Sequence, residues 1–344
     1  MNLKVIHAPL EIAGQVGLIC EFLRKSGVDA VGYNYYQTYL DYKKVINTDS
    51  FELAKVLEEA VESYDIFHFH NSYTFLEDRR DIQMIADAGK KMIMHHRGND
   101  VRTRARAAKG KGYYNPYVNA GCSLPDADIE RNLRYFSKYV SAAIVQDYEL
   151  HGYVADYYAA EGKPVFVLPR LIDINRIKPV RRKASRAASP LVVHAPTQRD
   201  FKGSDFIIET VHQLQQEMRI RFKLIEGLSH AQAMKLYREA DIVIDQVLCG
   251  AYGNLSVEAM ALGKPVICFI RGDLKDKYPA DLPIISANPD NLYDVLKRVA
   301  SDKQLRADKG RQGRSYVELH HAAPFVVQSL LSIYEQLSDR RGNS

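Results

Sequence analysis

The sequence lacks the cysteine spacing of a disulfide framework or of a metal site. Its four cysteines, Cys20, Cys122, Cys249 and Cys268, are scattered along 344 residues and form no CxxC pair. Cys20 and Cys268 lie in apolar runs, where a free thiol behaves as a small hydrophobic side chain. We therefore expect no structural disulfide and predict that these two thiols are buried.

Long hydrophobic runs are also missing, and no apolar stretch approaches the roughly 20 residues that span a bilayer. The first residues, MNLKVIHAP, predict a strand rather than a signal peptide, because no basic segment precedes a longer apolar stretch with a cleavage site. The net charge of +5 is small, and no basic-aromatic nucleic-acid module is present. These absences predict a cytoplasmic protein that does not bind nucleic acid.

What the sequence does contain is a regular alternation of short apolar runs and longer helical patterns, which indicates parallel βα units. The predicted strands are Lys4–His7, Ala30–Tyr33, Asp65–Phe69, Lys91–His95, Ala142–Gln146, Pro164–Leu168, Leu191–His194, Arg221–Ile225, Asp241–Ile244, Pro265–Ile270 and Leu282–Ser286. The predicted helices are Gln15–Ser26, Phe51–Ser63, Asp81–Ala88, Ser204–Glu217, Ala231–Ala240, Asn291–Ala300 and Pro324–Leu337.

The chain is long enough for two domains, and a stretch rich in Lys, Arg, Ser and Ala separates its halves. We predict two Rossmann-like, doubly wound α/β domains that face a cleft, over residues 1–175 and 191–320, with a linker at 176–190. Residues 321–344 are predicted to form a last helix that crosses back to the first domain. Parallel sheets bind ligands at the carboxyl ends of their strands, so polar residues there are site candidates.

One such end is CGAYGNLSVEAMALGKPV, residues 249–266, which predicts a helix with an open, glycine-rich start. Asn254 is a good N-cap residue, and the helix is predicted to run from Leu255 to a left-handed stop at Gly263. Gly250 and Gly253 allow the backbone to approach a ligand closely. The free N–H groups and the positive end of the helix dipole suit a phosphate.

Three charged side chains accompany this helix start. Glu258, one turn inside the helix, suits the vicinal hydroxyls of a sugar, or is an ordinary acid that the helix dipole favours. Arg199 and Lys202, in RDFKG, follow a predicted strand directly. The planar guanidinium of Arg199 and the compact ammonium of Lys202 would bind a diphosphate. Alternatively, both side chains are solvated loop cations.

The ordered motifs HAPTQRDFKGSDFIIETVHQL, KLIEG, YREADIVIDQ and GAYGNLSVEAMALGKPVI, over residues 191–270, resemble the carboxyl half of the retaining family 4 glycosyltransferases, which have the GT-B fold. In the first half, EIAGQVGLICEFLRKSGVDA, MHHRGND and VLPRLIDINRIKP extend this resemblance to most of the chain. Residues 101–140 match no motif of that family.

The resemblance implies a retaining, metal-independent glycosyltransferase of the hexosyltransferase type, which needs no cofactor and serves cell-surface polysaccharide or glycoconjugate synthesis. Its donor would be a nucleotide diphosphate sugar on the second domain, and its acceptor a saccharide or lipid-linked hydroxyl on the first. Lys202 would hold the diphosphate and Glu258 the ribose. The implied donor-binding residues are Gly14, Arg199, Lys202, Gly253, Asn254, Leu255 and Glu258. His96, or less favourably His95, would be the catalytic histidine, although a strand-end histidine is also commonly structural.

Two positions depart from the family pattern. The first acid of its Glu-x7-Glu motif, which contacts the transferred sugar in the family, is replaced here by Gly250, and the family's arginine is replaced by Thr197. Arg199 would replace that arginine only in a differently bent loop. Either donor-sugar recognition is rebuilt from other residues, or activity is impaired. The candidate replacements for the missing acid are Asp245, Gln246 and Glu226.

Four alternatives compete with this interpretation. A GT-B sugar-nucleotide epimerase would have the same two domains without an acceptor site, and a non-catalytic nucleotide-sugar-binding subunit would explain Gly250. A metal-dependent enzyme would need carboxylates such as Asp126 and Asp128, but an Asp-x-Asp after a proline is more typical of a helix start, so no metal is predicted. An oxidoreductase is disfavoured because APLEIAGQVG lacks the GxGxxG spacing.

The remaining unusual feature is a basic run followed by tyrosines at residues 97–117. Such a flank predicts peripheral contact with an anionic membrane surface at the inner face of the membrane, or a solvated loop. Its members are Arg97, Arg102, Arg104, Arg106, Lys109, Lys111, Tyr113, Tyr114 and Tyr117.

Overall fold

The computed structural model describes residues 3–109, 124–180 and 189–339. The chain divides into two compact units. Unit 1 comprises residues 1–103, 122–171 and 323–344, and unit 2 comprises residues 104–121 and 172–322. Each unit is built around a parallel sheet with helices on its faces, which confirms the predicted α/β fold class.

Unit 1 contains seven parallel strands in the order β3-β2-β1-β4-β5-β6-β7. They are β1 (Lys4–Ala8), β2 (Asp29–Asn34), β3 (Ile46–Asn47), β4 (Ile66–His70), β5 (Lys91–His95), β6 (Ala142–Val145) and β7 (Val165–Val167). Its helices are α1 (Gln15–Lys25), α2 (Ser50–Ser63), α3 (Arg80–Asp87), α5 (Asp126–Tyr139), α6 (Tyr148–Ala160) and α13 (Ala323–Asp339). The strand order reverses between β1 and β4, which is the Rossmann-like arrangement.

The sheet of unit 1 is buried on both faces, as a parallel sheet covered by helices requires. One face packs against α2, α3, α5 and α6, with Leu53, Ile82, Leu133 and Leu150 among the buried contacts. The other face packs against α1 and α13, the helix formed by the last described residues. Tyr334 of α13 is therefore placed in the core of unit 1.

Unit 2 contains four parallel strands in the order β11-β10-β8-β9. They are β8 (Leu191–His194), β9 (Arg221–Leu224), β10 (Ile242–Ile244) and β11 (Val266–Ile267). Its helices are α4 (Arg104–Ala108), α7 (Arg199–Lys202), α8 (Ser204–Glu217), α9 (His230–Glu239), α10 (Asn254–Ala261), α11 (Leu292–Ser301) and α12 (Lys303–His320). The strand order reverses between β8 and β10, so their carboxyl ends border a crevice.

In unit 2, one predicted strand is corrected and one helix was not predicted. The predicted strand at 282–286 does not form, and its only ladder contact is an isolated bridge between Ile285 and Ile267. Helix α12 was not predicted, because its sequence is mostly polar and contains two glycines. Those glycines allow close packing, since a Cβ at Gly310 would lie 2.2 Å from the Gly263 carbonyl oxygen.

The predicted core thiols are confirmed. Cys20 and Cys268 are fully buried and form no disulfide, and burial raises the pKa of the Cys20 thiol to about 12. Cys249 is also buried. Cys122 lies outside the described residues.

Candidate functional site

The candidate site of unit 2 lies where its strand order reverses. Lys202 ends α7, which follows β8, while Asp245 and Gln246 come directly after β10. Gly253 leads into α10, the helix after the same strand. Three segments that are remote in sequence therefore meet at the carboxyl ends of β8 and β10, the edge at which open parallel sheets bind ligands.

Asp245 is the centre of this arrangement. Its fully buried carboxylate accepts from Lys202 Nζ on Oδ1 at 2.8 Å, and from the Gly253 amide at 2.8 Å and the Ser256 hydroxyl at 2.7 Å on Oδ2. Burial acts to raise the pKa of Asp245, but the Lys202 charge and these hydrogen bonds hold it below its usual range. The ionised carboxylate thus fixes α7 to the start of α10.

Lys202 keeps one hydrogen-bond donor for a ligand. Its ammonium group has three N–H donors, of which Asp245 takes one and Gln246 Oε1, at 2.7 Å, takes another. Within the described chain we find no acceptor for the third. A Cβ at Gly253 would lie 3.2 Å from Lys202 Nζ, so glycine keeps the space beside the ammonium open.

Helix α10 begins one residue earlier than predicted, since Gly253 is the N-cap and Asn254 the first helical residue. The first intrahelical bond runs from the Val257 amide to the Gly253 carbonyl at 3.4 Å. The amides of Asn254 and Leu255 precede this bond and have no intrahelical acceptor. The predicted left-handed stop at Gly263 is confirmed, with φ of +73°.

Glu258 pairs with a residue that the sequence analysis missed. His230 Nε2 lies 2.6 Å from Glu258 Oε1, and the Glu258 side chain is 15% exposed. Burial lowers the pKa of His230, but the hydrogen bond and charge of Glu258 outweigh it, so the net shift is upward. The Glu258 carboxylate therefore already has one partner, and a sugar diol would share it. The two residues are 28 positions apart, and nothing in the sequence pattern links them.

Arg199 does not join the cluster around Asp245. Its guanidinium binds Glu226 through Nε at 2.8 Å and Nη2 at 2.6 Å, and both side chains are exposed. An exposed ion pair is weak, so a ligand could draw Arg199 away from it. The role of Arg199 at the diphosphate stays a prediction.

Two of the residues proposed to replace the missing acid already form hydrogen bonds within the protein. Asp245 is fully buried and accepts from three donors, and Gln246 accepts from Lys202 and donates to the Ala251 carbonyl. Glu226, the third candidate, is exposed but paired with Arg199. Donor-sugar recognition by Asp245 or Gln246 would therefore require this cluster to rearrange.

Position 250 excludes the family's acid on steric grounds. Gly250 has φ of +87°, and a Cβ there would lie 2.6 Å from Arg271 Cβ. The Gly250 carbonyl also accepts from the Arg271 amide at 2.9 Å, which holds the two segments together. The glycine is thus required by the local backbone.

We expect Gly250→Ala to lower the free energy of unfolding by about 2 kcal/mol or more, because backbone strain and a steric clash add. Two control variants separate these causes. Gly227→Ala measures the cost of a positive φ, +67°, where a Cβ meets no neighbour, and Gly272→Ala measures the change where a Cβ meets no neighbour and φ is not positive. Urea unfolding should rank the losses as 250, then 227, then 272. Equal losses at 250 and 227 would show that Arg271 yields to a Cβ, and the steric argument against an acid at position 250 would fail.

In unit 1, Gly14 has φ of +73° as the N-cap of α1, and a Cβ there would lie 3.0 Å from the Tyr42 ring. The Glu11 carboxylate occupies the start of α1, accepting from the Gly17 amide at 2.8 Å and the Val16 amide at 3.3 Å. A donor phosphate would have to displace Glu11 from these amides. The donor-binding role of Gly14 remains a prediction.

His96 is fully buried, and both of its ring nitrogens are engaged. Nδ1 lies 2.6 Å from Asp100 Oδ2, and Nε2 lies 2.9 Å from the Tyr158 hydroxyl. In this arrangement His96 offers no ring nitrogen to a substrate. Its catalytic role, which rests on the family resemblance alone, stays a prediction without support from this geometry.

A buried hydrogen-bonded network, the histidine chain, lies at the strand-order reversal of unit 1. It comprises Arg97, His70, His7, Tyr334, His68 and His95. Arg97 Nη2 donates to His70 Nδ1 at 3.2 Å, and since arginine only donates, His70 carries its proton on Nε2. His70 Nε2 then donates to His7 Nδ1 at 3.0 Å.

The same donor-to-acceptor direction continues through the rest of the histidine chain. His7 Nε2 donates to the Tyr334 hydroxyl at 3.3 Å, and that hydroxyl donates to His68 Nδ1 at 2.8 Å. His68 Nε2 donates to His95 Nδ1 at 3.2 Å, and His95 Nε2 is a buried donor with no partner in the part of the chain that the structure describes. This order requires four neutral imidazoles, each protonated on Nε2.

His7, His68 and His70 also offer ring nitrogens within 4.8 Å of one another, which is close enough to consider a metal ion. The rings are stacked, however, with the planes of His68 and His70 7° apart and the centroids of His7 and His68 separated by 4.3 Å. Stacked rings direct their in-plane lone pairs side by side rather than to the common point that a tetrahedral metal needs. The arrangement fits a hydrogen-bonded chain better than a metal site.

The basic run at 97–117 does not form one surface. Arg97 is buried in the histidine chain, and Arg102 forms a buried ion pair with Glu149, with Nη2 and Oε2 2.6 Å apart. Their assignment to a membrane-facing flank is therefore corrected, while residues 110–117 lie outside the described residues. No helix in the described ranges is both long and apolar enough to cross a membrane.

No protein-family model matches the chain, and neither does any curated protein. Solved structures do match it. The chain is similar to sucrose-phosphate synthase from Thermosynechococcus elongatus, with a TM-score of 0.65 and 13% identity over 98% of this chain and 100% of that chain. It is similar to a glycosyltransferase from Rickettsia africae, with a TM-score of 0.67 and 13% identity over 100% of both chains. It is also similar to Anabaena HepE, solved with UDP-glucose, with a TM-score of 0.62 and 14% identity over 97% of this chain and 100% of that chain.

These matches show the fold. The two Rossmann-like units have the GT-B fold, as the sequence analysis predicted. Membership of family 4 stays a prediction.

Proposed function

We propose that the protein is a glycosyltransferase that takes its sugar from a nucleotide diphosphate sugar. The observation that carries this proposal is the spare N–H of Lys202 beside the unbonded amides at the start of α10. A cation and a helix N-terminus at one sheet edge suit a diphosphate. The GT-B fold and the resemblance of the second half to family 4 support the same class of donor.

The site also suits the chemistry of transfer. Negative charge grows on the diphosphate as the sugar leaves, and Lys202 and the α10 dipole would stabilise it without a metal ion. The acceptor hydroxyl would attack from the face that the diphosphate leaves, which gives retention, and the diphosphate would take the hydroxyl proton. Retention, metal independence and a hexose donor for cell-surface polysaccharide or glycoconjugate synthesis are parts of the proposal.

The first test is a thermal-shift screen of nucleoside diphosphates and their sugars, beginning with UDP-glucose, the compound bound in the HepE structure. A donor that binds the folded state raises the melting temperature by mass action, and a ligand at 100 times its Kd adds about 2.7 kcal/mol. We expect one base to give the largest shift, with and without EDTA. If no nucleotide shifts the melting temperature, the proposed donor site is wrong.

Glu258→Ala is expected to weaken donor binding by about 10- to 100-fold, because a carboxylate that accepts from two ribose hydroxyls makes charge-assisted bonds. Isothermal titration with the nucleotide found in the screen measures this loss. Glu239→Ala, which removes an exposed carboxylate of α9, is the matched control and should bind normally. Unchanged affinity in Glu258→Ala would remove Glu258 from the site.

A sugar-nucleotide epimerase is the second candidate, because the chain is also similar to a putative UDP-N-acetylglucosamine 2-epimerase from Listeria monocytogenes, with a TM-score of 0.59 and 14% identity. An epimerase converts its nucleotide sugar without an acceptor. Incubation of the bound donor without acceptor, followed by NMR of the sugar, separates the two functions. Donor binding without turnover under any acceptor would instead indicate a non-catalytic subunit.

A further inference from the structure

A buried histidine lies at the junction of the two segments that carry the candidate site of unit 2. His194 ends β8, one of the two strands between which the sheet order reverses, and its side chain is fully buried. It pairs in register with Ile244, the last residue of β10. His194 therefore lies between the strands that lead to Lys202 and to Asp245.

The ring of His194 joins these two segments by hydrogen bonds. Nδ1 lies 2.9 Å from the Ile244 carbonyl oxygen, and Nε2 lies 2.8 Å from the Ser204 hydroxyl. A carbonyl oxygen only accepts, so Nδ1 carries the proton and Nε2 accepts from Ser204. The neutral ring makes both bonds, and burial favours that form by lowering the pKa of His194 to about 4.

The two bonds hold backbone positions next to the charged groups of the site. Ile244 directly precedes Asp245, and Ser204 follows Lys202 with only Gly203 between them. Gly203 has φ of +71°, and a Cβ there would lie 2.6 Å from a side-chain atom of the segment after β10. The Lys202 carbonyl accepts at 3.1 Å from an amide of that same segment. Because this turn is so closely packed, a displaced Ser204 would displace Lys202 as well.

We infer that His194 is a positioning residue of the donor site. It holds the two segments where Lys202 Nζ reaches Asp245 Oδ1 at 2.8 Å and keeps its third N–H beside the amides of α10. His194 does not touch the donor, since both of its ring nitrogens are engaged. The inference rests on the proposed function for the identity of the ligand, whereas the positioning of Lys202 is measurable without one.

Two amide variants each keep one bond of His194. The Asn amide nitrogen takes about the place of Nδ1, so His194→Asn keeps the donor to the Ile244 carbonyl and loses the acceptor for Ser204. The longer Gln side chain reaches the place of Nε2, so His194→Gln presents an oxygen to Ser204. Ser204→Ala removes the same bond from its other end. Since Lys202 lies on the Ser204 side, His194→Asn and Ser204→Ala should displace it, and His194→Gln should not.

Acylation of lysine amines, followed by peptide mass spectrometry, measures this displacement in the full chain without a nucleotide. The Lys202 side chain is 14% exposed and donates to Asp245 and Gln246, so its amine should react slowly. We expect His194→Asn and Ser204→Ala to raise its rate about fivefold or more, the change that loss of one buried hydrogen bond produces. His194→Gln should react at close to the wild-type rate.

Lys264, 5% exposed in the same unit, is the control for unfolding, because its buried amine gains reactivity when unit 2 opens. An unchanged Lys202 rate in His194→Asn or in Ser204→Ala would overturn the inference, and so would a His194→Gln variant that reacts as fast as His194→Asn. Rates that rise equally at Lys202 and Lys264 would also overturn it, because His194 would then support unit 2 as a whole.

Calorimetric titration of the same variants with the nucleoside diphosphate selected by the screen separates this inference from the proposed function. His194→Asn should weaken binding about tenfold, and it should add no further loss to Lys202→Met, because it acts through that lysine. If the nucleotide binds wild type and His194→Asn equally, the inference fails alone. If the Lys202 rates change as expected and no nucleotide binds any form, the proposed function fails and His194 still positions Lys202.

Discussion

Lys202→Met is expected to lower the free energy of unfolding of unit 2 by about 3–5 kcal/mol, because it leaves the Asp245 carboxylate buried without its charged partner. The 14% exposed Lys202 side chain and the fully buried Asp245 form an ion pair that water screens little. The same variant should weaken nucleotide diphosphate binding more than about 30-fold, since it removes the spare N–H beside α10. Urea-dependent pulse proteolysis, with fragments assigned to each unit, measures the first effect, and calorimetric titration measures the second.

A double-mutant cycle separates the two roles of Lys202. Asp245→Asn keeps an oxygen for the Gly253 amide but removes the charge, so Lys202→Met with Asp245→Asn should be more stable than Lys202→Met alone. A coupling of about 0.5–3 kcal/mol is typical of residues in direct contact. Nucleotide binding should stay lost in the double variant. Lys235→Met, an exposed lysine of α9, is the control and should change neither quantity.

Two results would contradict this account of Lys202. If the single variant unfolds at the same urea concentration as the Lys235 control, Asp245 finds another partner and does not depend on Lys202. If the double variant recovers nucleotide binding together with its stability, Lys202 acts only by holding Asp245. In that case the donor phosphates are bound by the α10 amides alone.

The fold was predictable from the sequence because its signals are local. A parallel strand buried on both faces is a short apolar run, as in LVVH at 191–194, and the amphipathic helix at 204–217 has its own periodicity. The failure to predict α12 has the same explanation. Helix α12 is held by close approach to Gly263 and Met260, which are remote in sequence, and its own pattern is weak.

The site was predictable only in part, because its side chains are positioned by partners that are far away in sequence. Lys202 and Glu258 were selected from motifs, but the pairing of Lys202 with Asp245 spans 43 residues. Local sequence gives no sign of such a partner. His96 shows the opposite case, since the family resemblance implied a role at the substrate, whereas Asp100 and Tyr158 occupy both of its ring nitrogens.

The histidine chain joins residues that are far apart in the sequence. It joins Tyr334 of α13 to His7 on β1 and to His68 on β4, separations of 327 and 266 residues. Polar residues at the carboxyl ends of the strands were predicted as site candidates, and His70 and His95 end β4 and β5. The structure instead directs several of them into the core, where α13 supplies the missing hydroxyl.

Acidification from pH 6.5 to pH 5 is expected to destabilise unit 1 far more than unit 2. Burial, followed by nearby charge such as that of Arg97, lowers the pKa of His7 to about 3 and the pKa values of His68, His70 and His95 well below their usual value. These imidazoles stay neutral in the folded chain and take up protons on unfolding below about pH 6.5. The stability that they contribute is therefore complete above pH 6.5 and is lost as the pH falls towards the folded-state values.

The size of the effect follows from the number of protons. Each proton taken up on unfolding lowers the free energy of unfolding by about 1.4 kcal/mol for each unit by which the pH falls. Four protons therefore give about 5 kcal/mol per pH unit, which is comparable to the whole stability of many domains. In unit 1, the lowered pKa of Asp100 adds to the loss at lower pH, while the raised pKa values of Glu11 and Asp81 oppose it. In unit 2, His194 titrates in the same sense, with its pKa lowered by burial to about 4, and the raised pKa of His230 acts in the opposite sense.

Pulse proteolysis at half-unit steps of pH gives the slope of unfolding free energy for each unit, and the slope gives the proton count. His95→Gln should lower the slope of unit 1 by about one proton, because an amide oxygen can still accept from His68 Nε2 without titrating. His212→Gln, an exposed histidine of α8, should leave both slopes unchanged. Tyr334→Phe should lower stability by about 1–3 kcal/mol at every pH without changing the slope, since it removes a hydrogen-bond partner and no proton site in this range. A slope of one proton or fewer in unit 1 would mean that these histidines are charged or solvated in the folded chain, and the one-directional hydrogen-bond order from Arg97 to His95 would then be wrong.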